Sequence, residues 1–361
     1  ARLLSPWEVE VDGKCISARN IVIASGGRPR VPDVPGLADV PYLTSDSVWQ
    51  LETLPTRLLV IGAGPIGCEL AQAFAGLGSE VTLMTHASRI LPREDEEVSA
   101  LVEERLRQEG LKILAGAEPR EFTEHSCDYT RAGVSAQVAF DRVLLAVGRS
   151  ANVEGMGLED IGVALDDKGR VAVDPFLRTS VPTIYAAGDV TGPYQFTHMA
   201  SLQAWYAAVN ALYGRFRKFR VDYSVVPWAT FTAPEVARVG LNELDAREQG
   251  VAYELTRYDL DDLDRAIADG EAEGFVKVLT RPGSDRILGA TIVGYHAAEL
   301  INEFILAIKH GIGLNKILGT IHIYPTLSEG NKFLAGEWRK ARKPEKLLDW
   351  VERYHRFNRG R

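Results

Sequence analysis

An α/β architecture of more than one domain is what this 361-residue chain predicts, on three observations. The first is "LLVIGAGPIGCELAQAFAGLGSEVTLM", residues 58–84: an apolar run, a glycine-rich turn, a helix-length stretch and a second apolar run. The second is a set of apolar runs that each end in a small-residue turn. They are "IVIASGGRP" (21–29), "VLLAVGRSAN" (143–152) and "TIYAAGDVTG" (183–192). Short apolar runs closed by glycine read as buried parallel strands. The third is a change of pattern after about residue 220. There "FVKVLT" and "ILGATIVG" alternate like antiparallel strands, and "AAELINEFILAIKHG" reads as one amphipathic helix.

In chain order, the sequence opens on "ARLLSPWEVEVDG". Trp7, Val9 and Val11 alternate with polar residues, and Asp12-Gly13 is a hairpin signal. "ARNIVIASGG" then reads as a buried strand entering a glycine turn. A lone hairpin and one core strand do not begin a domain, so the chain is expected to start inside one whose first part is missing.

Residues 57–61 form the next strand, followed by Gly62, Gly64 and Gly67 at GxGxxG spacing. The first glycine permits the tight turn, the second lets backbone approach a pyrophosphate, and the third lets the helix pack on the strand. Pro65 suits the first helical turn, where its missing N–H costs nothing. Leu70, Phe74 and Leu77 recur at helical spacing, and Gly78 ends the helix. The N–H groups at the helix start hold anionic oxygens. A dinucleotide site is therefore expected. An acid at the end of "EVTLM" would take the ribose 2′-OH of NAD. Thr85 and His86 stand there instead, with Arg89 close behind. Cations in place of a carboxylate suit a 2′-phosphate, so NADPH is the expected nucleotide, with NAD as the alternative.

Composition narrows the class. Apolar residues make up 46% and charged residues 25%, an ordinary globular balance. A net charge of −8 and a pI near 5.5 argue against nucleic acid as a partner. No apolar run is long enough to span a membrane, and no signal peptide is read at the start. Cys15, Cys68 and Cys127 are far apart, which gives neither a disulfide framework nor a metal site. Cys68 reads as a buried filler. The expected setting is a reducing compartment, the cytoplasm.

With "IHIYPTLSEGNK" at 321–332, these segments resemble, in order and spacing, the pyridine nucleotide–disulfide oxidoreductases. That is the flavoprotein family of dihydrolipoamide dehydrogenase, glutathione reductase and mercuric reductase. The resemblance runs from about residue 7 to about residue 340, and "GPIGCELAQAFAGLG" and "RILPREDEEV" are closest to the mercuric-reductase-like branch. It implies a partial FAD-binding Rossmann-like domain (1–50 and 151–220) with an inserted NAD(P)H-binding Rossmann-like domain (51–150). An α+β interface domain (221–361) would follow and form a homodimer.

The resemblance also implies roles. Asp189 would hydrogen-bond the flavin's ribityl chain, with Gly188 allowing close approach. Ser25 and Gly26 would pass near FAD. The helix opened by Thr197 to Ala200 would face the flavin ring. Glu69 would lie near the nicotinamide and Gly148 along its path. Each has a plainer reading: Asp189 as a strand-end turn residue, Glu69 as a first-turn acid stabilising the helix dipole.

Two departures limit the inference. The family's other glycine cradle, for the ADP half of FAD, and its redox CxxxxC pair would both lie before residue 1. And Tyr324 stands where disulfide-reducing members have a histidine acting as acid/base, although Glu329, the partner of that histidine, is kept. A phenol with pKa about 10 is a poor base near neutrality. His322, two residues upstream, would share a strand face with Tyr324 and is either a substitute or a structural histidine. The resulting expectation is an FAD-dependent NAD(P)H oxidoreductase acting on a small-molecule electron acceptor. The rival is a catalytically silent, NADP-binding, dimerising fragment without FAD. The basic stretch "GEWRKARKPEKLLDWVERYHRFNRGR" reads as a terminal amphipathic helix after Pro344, either packed or in weak contact with an anionic membrane surface.

Overall fold

The computed structural model describes residues 1–359, the side chain of Lys346 excepted. Gly360 and Arg361, the end of the basic stretch, lie outside the described residues. Strands β1 (Arg2–Ser5), β2 (Glu8–Val11) and β3 (Lys14–Ser17) form an antiparallel sheet in that order. Asp12 and Gly13 join β2 to β3 with φ of 50° and 73°, the positive values a two-residue hairpin turn requires. Then come β4 (Ile21–Ile23), β5 (Gly27–Pro29) and β6 (Tyr42–Thr44). The strand–helix–strand unit is β7 (Arg57–Ile61), α1 (Pro65–Gly76) and β8 (Glu80–Thr85). It leads to α2 (Glu96–Gln108) and β9 (Lys112–Ala115). A three-stranded antiparallel sheet follows, β10 (Ala117–Phe122), β11 (Ser126–Arg131) and β12 (Val134–Ala139). Next are β13 (Arg142–Leu145), β14 (Arg149–Ala151), β15 (Ile184–Ala186) and α3 (Thr197–Tyr213).

The last third contains β16 (Pro227–Thr230), β17 (Glu235–Gly240), α4 (Glu243–Glu248) and β18 (Glu254–Asp259). After them come α5 (Asp264–Asp269), β19 (Phe275–Thr280) and β20 (Ile287–Gly294). Five helices follow: α6 (Ala297–Leu300), α7 (Asn302–His310), α8 (Leu314–Leu318), α9 (Glu329–Lys340) and α10 (Glu345–Arg359).

The chain divides into two compact units. One comprises Ala1–Gly67, Leu77–His86 and Leu114–Tyr223; the other comprises Cys68–Gly76, Ala87–Ile113 and the chain from Ser224 onward. In the first unit a five-stranded sheet has the order β6-β13-β7-β8-β9. Its registered pairs are parallel, with Ile61 opposite Met84 on one side and Leu145 on the other. These three strands therefore end level, and their carboxyl ends form one edge. Leu58 to Ile61 are buried, as a strand covered on both faces must be. Leu59, Ile61, Met84, Phe122, Phe140 and Val143 belong to its core. A second parallel pair, β4 with β15, packs around Leu3, Ile23, Leu158, Val171 and Ile184.

The second unit is built on an antiparallel sheet, β16-β17-β20-β19-β18, with Val239, Val276, Ile292, Phe304 and Trp338 in its core. Three local expectations need correction. Every residue of β19 is buried, Lys277 included, so the strand is covered on both faces and does not alternate. The expected single helix over 297–310 is two, α6 and α7, divided at Ile301. And α1 ends at Gly76, which leaves Leu77 outside it and 68% exposed. The buried face of α1 is instead the small-residue set Gly67, Cys68 and Ala71. Small side chains there let the helix axis approach its neighbours closely.

Candidate active site

At the carboxyl edge of the parallel sheet the chain leaves β7 through Gly62, whose φ is 105° and whose N–H donates to the Met84 carbonyl at 2.8 Å. A Cβ on Gly62 would lie 2.4 Å from the Ala146 carbonyl oxygen, and one on Gly67 would lie 1.8 Å from the Gly62 carbonyl oxygen. Both positions exclude any side chain. Gly64 differs: nothing lies within 4 Å of the Cβ it lacks. The turn is thus closed by Gly62 and Gly67 and open at Gly64, with Pro65 starting the helix. That form fits a pyrophosphate laid against backbone N–H groups.

Thr85, the last residue of β8, is buried, and His86 beyond it is exposed. Arg89 donates from Nη2 to the carbonyls of Pro92 at 3.3 Å and Glu94 at 3.0 Å, so its guanidinium is braced within its own loop. Gly148 has φ 111°, and its carbonyl accepts the Arg30 N–H at 2.9 Å.

Glu69 begins the second turn of α1, not the first, so the helix-dipole reading does not apply. Its Oε1 accepts the Phe231 N–H at 2.8 Å. Burial raises its pKa above the usual glutamate value, and the Phe231 N–H offsets part of that rise. Burial also pushes the Cys68 and Cys127 thiols up to about 12, which leaves both unreactive near neutrality.

Around β4 and β15, Ser25 and Asn152 tie two turns together. Ser25 Oγ donates to the Asn152 carbonyl at 2.7 Å, and Asn152 Nδ2 donates to the Ser25 carbonyl at 2.9 Å. Gly26 sits between them at φ 69°, with open space where a Cβ would be. Asp189 Oδ2 lies 3.5 Å from Arg149 Nε. Gly188 has φ 85°, and its N–H donates to Gln203 Oε1 at 2.7 Å. Gln203 is fully buried on α3 and also bonds the Gly192 carbonyl and the Tyr223 hydroxyl. It fixes the Gly188-Asp189 turn relative to the start of α3, where Thr197 is exposed and Ala200 lies beside Gly188. Open glycine backbone, a partly accessible carboxylate acceptor and a helix N-terminus would fit a flavin nucleotide. Arg149 and Gln203 were not read as functional. Arg149 directly follows the glycine turn that closes the run at 143–152, whereas nothing local marks Gln203.

In the second unit, residues 321–325 are irregular, not a strand, so His322 and Tyr324 do not share a face. The His322 side chain is 7% exposed and its Nε2 lies 3.1 Å from Glu303 Oε1. Asn331 Nδ2 bonds the other Glu303 oxygen at 2.9 Å. His322 is therefore part of a packed polar cluster with Glu303 and Asn331. Tyr324 is 68% exposed and donates its phenol hydrogen to Asp264. Glu329 is buried at the start of α9, and its Oε2 accepts the Thr326 N–H at 3.2 Å. Tyr324, Asp264, Glu329, Tyr258 and Lys332 line one hollow of about 560 Å³.

One buried network had no sequence signal. Lys277 is 1% exposed, and its Nζ lies 2.6 Å from Asp95 and 3.1 Å from Glu243, with Glu97 also bonded. Asp95, Glu97 and Glu243 are near enough together to hold a cation, and the ammonium group supplies one. Arg238 is similarly buried between Glu94 at 3.2 Å and Asp245 at 2.6 Å, with its guanidinium 4.2 Å from the Trp228 ring centre.

Residues 2–210 match the profile of the pyridine nucleotide-disulphide oxidoreductases, and residues 226–334 match that family's dimerisation domain. The chain is 38% identical over 333 residues to the dihydrolipoyl dehydrogenase of Chlamydia muridarum, covering 91% of this chain and 71% of that protein. It is 36% identical over 339 residues to the mercuric reductase of Staphylococcus aureus, covering 93% and 62%. Among solved structures it is similar to the HOCl-induced flavoprotein disulfide reductase RclA from Escherichia coli. That match has a TM-score of 0.85 and 29% identity, over 93% of this chain and 77% of the other.

Proposed function

The chain belongs to the pyridine nucleotide-disulphide oxidoreductase family, of the lipoamide dehydrogenase and mercuric reductase type, and from that premise we propose that it is an NADPH-preferring reductase of a small-molecule acceptor. The family is FAD-dependent and takes NAD(P)H as substrate. FAD, when bound, supplies hydride acceptance and onward electron transfer. The domain partition read from the sequence, with 51–150 inserted between two FAD segments and 221–361 as interface, is part of this proposal. So are the homodimer and the cytoplasmic setting.

The observation that carries the reading is the contrast within the glycine turn. Gly62 and Gly67 have no room for a side chain, while Gly64 faces open space. Packing explains the first two and a ligand explains the third. In this reading Gly62, Gly64, Pro65 and Gly67 hold the pyrophosphate on backbone N–H groups. Thr85 and His86 accept the adenosine ribose, with Arg89 as the nearby cation. Glu69 and Gly148 bound the nicotinamide. Ser25, Gly26, Gly188, Asp189, Thr197 and Ala200 meet the flavin nucleotide. Tyr324 and Glu329 act at the acceptor, and His322 is left a structural role by its bond to Glu303.

Tyr324 narrows the acceptor. Asp264 holds the phenol protonated, so this position orients or donates a proton and does not remove one. That favours an acceptor reduced without a general base for thiols. The test is a titration of the purified chain with NADPH and NADH, alongside its visible absorption spectrum. Tighter NADPH binding, weakened by Arg89→Glu, and a flavin band are expected. Equal NADH binding overturns the nucleotide assignment. A colourless protein that still binds NADPH favours the silent-fragment reading.

A further inference from the structure

Helix α10 is 15 residues long and lies beyond the dimerisation-domain match, which ends at residue 334. Leu347, Trp350, Val351 and Tyr354 recur at three- and four-residue spacing, and Leu348 and Phe357 widen the stripe to about half the circumference. A helix packed in a core would bury that stripe. Here Leu347 is 54% exposed, Trp350 61% and Tyr354 52%. The Trp350 and Tyr354 rings stack on each other at 5.9 Å, with planes 15° apart.

The other half carries charges of both signs. Arg353 borders the apolar stripe on the Trp350 and Phe357 side, and Arg359 borders it on the Leu348 side. Asp349, Glu352 and Glu345 lie toward the middle of the polar half, where Arg356 bonds Glu352 at 2.7 Å. Over residues 339–359 lysine and arginine outnumber aspartate and glutamate, in a chain whose net charge is −8.

We propose that α10 is an interfacial helix that docks this chain on an anionic phospholipid surface. Lying in the plane of the bilayer surface, it would place Leu347, Trp350, Val351 and Tyr354 in the acyl boundary. Arg353 and Arg359 would then be level with the lipid phosphates, and the acids would face water. Over residues 339–359 the excess of lysine and arginine, with Arg353 and Arg359 at the two borders of the stripe, is the charge complementary to anionic phospholipid. Trp and Tyr suit the boundary because each has an apolar ring and one polar group.

The test is cosedimentation of the full chain with vesicles of phosphatidylcholine alone and of phosphatidylcholine mixed with phosphatidylserine. Binding to the mixed vesicles at low salt is expected, with little binding to the neutral ones and release by added salt. Arg353→Ala should lower the partition constant about fivefold, the effect of one basic residue near such a surface. Leu347→Glu with Trp350→Glu should abolish binding. Both sites are exposed, so the NADPH affinity of this variant serves as the check that it folds. Two results overturn the proposal: equal sedimentation with and without anionic vesicles, or light scattering in which the double variant loses a dimer that the wild type forms. The second result would assign the stripe to another copy of the chain.

Discussion

Tyr324 donates its phenol hydrogen to Asp264 Oδ2 at 2.9 Å, across sixty positions of sequence. The bond raises the Tyr324 pKa above the usual phenol value, the charge of Asp264 adds to the rise, and desolvation and the charge of Glu329 add to it further. A general base needs a pKa near the working pH, and this contact moves the phenol the other way. Asp264→Asn should therefore bring Tyr324 back toward about 10. Ultraviolet difference titrations, each referenced to a Tyr324→Phe partner, isolate its curve from those of the other tyrosines. An unchanged midpoint in Asp264→Asn would remove the contact as the cause.

The same bond bears on disulfide substrates. Reduction of lipoamide or glutathione disulfide by this chain should be weak, even with FAD bound. It has no closely spaced cysteine pair, and a protonated phenol stands where a thiol's base is needed. General acid–base catalysis is worth about 10²–10⁴-fold, so Tyr324→His is expected to raise any such activity only if Glu329 can turn from the Thr326 N–H to the new imidazole. Rapid disulfide turnover by the Tyr324 protein would refute the acceptor argument.

Two glycine substitutions separate ligand space from packing space. Gly64→Ala should fold normally, because its methyl group meets nothing, yet weaken NADPH binding about 5- to 150-fold through a clash of about 1–3 kcal/mol. Gly67→Ala should lower the unfolding midpoint as well, since its Cβ would fall 1.8 Å from the Gly62 carbonyl oxygen. Calorimetric titration and a thermal melt distinguish the two. Normal NADPH affinity in Gly64→Ala would mean that the nucleotide does not pass there.

This pair also shows what could be read from sequence. Gly62, Gly67 and Gly188 were legible because a positive φ or a backbone approach admits no other residue, and that requirement is local. Asp12-Gly13 was legible for the same reason; the start of α3 at Thr197 was legible only through the family resemblance. Asp264, Gln203 and Lys277 were not. Their partners lie far along the chain, and no periodicity records a contact between distant segments. Lys277 misled directly: a charged residue inside an apolar run reads as a solvent-facing position, whereas three carboxylates keep it buried. Leu77 misled in the opposite sense, because helical spacing continued one residue beyond the helix.

Lys277→Met should cost about 3–5 kcal/mol of stability, since it leaves Asp95, Glu97 and Glu243 without their shared cation. The pH dependence has two limbs. Burial opposes the Lys277 charge, but its bonds to the three acids outweigh burial and raise its pKa. That stabilisation is complete below the unfolded lysine value of about 10.4 and is lost as pH rises through the folded one. Glu243 is lowered: burial works against its charge, but bonds from Tyr253 and Lys277 prevail. Its stabilisation is present above about 4.3 and is lost as pH falls through the folded value. The gap between wild type and Lys277→Met should be widest between these limits and narrow beyond both. Denaturant melts across pH measure it, and a gap that does not vary with pH would exclude an ionic origin.

Glu69 gives the sharpest separation of structure from chemistry. Its Oε1 accepts the Phe231 N–H at 2.8 Å, and burial raises its pKa. A carboxyl group raised on folding stabilises fully below its unfolded value, about 4.3, and that contribution is lost as pH rises through the folded value. Above the folded value the carboxylate retains none of it. Glu69→Gln keeps an acceptor for Phe231 and buries no charge, so its melting point at neutral pH should equal or exceed that of wild type. Below about pH 4 this advantage should vanish. Fold stability therefore gives no reason for a carboxylate at this position, whereas a role beside the nicotinamide does. If Glu69 has that role, Glu69→Gln should slow NADPH oxidation about ten- to a hundredfold, the scale of one lost charge-assisted contact of about 1.5–3 kcal/mol, at unchanged NADPH affinity. A variant that melts lower but oxidises NADPH at the wild-type rate would make Glu69 an anchor for the Phe231 loop and nothing more.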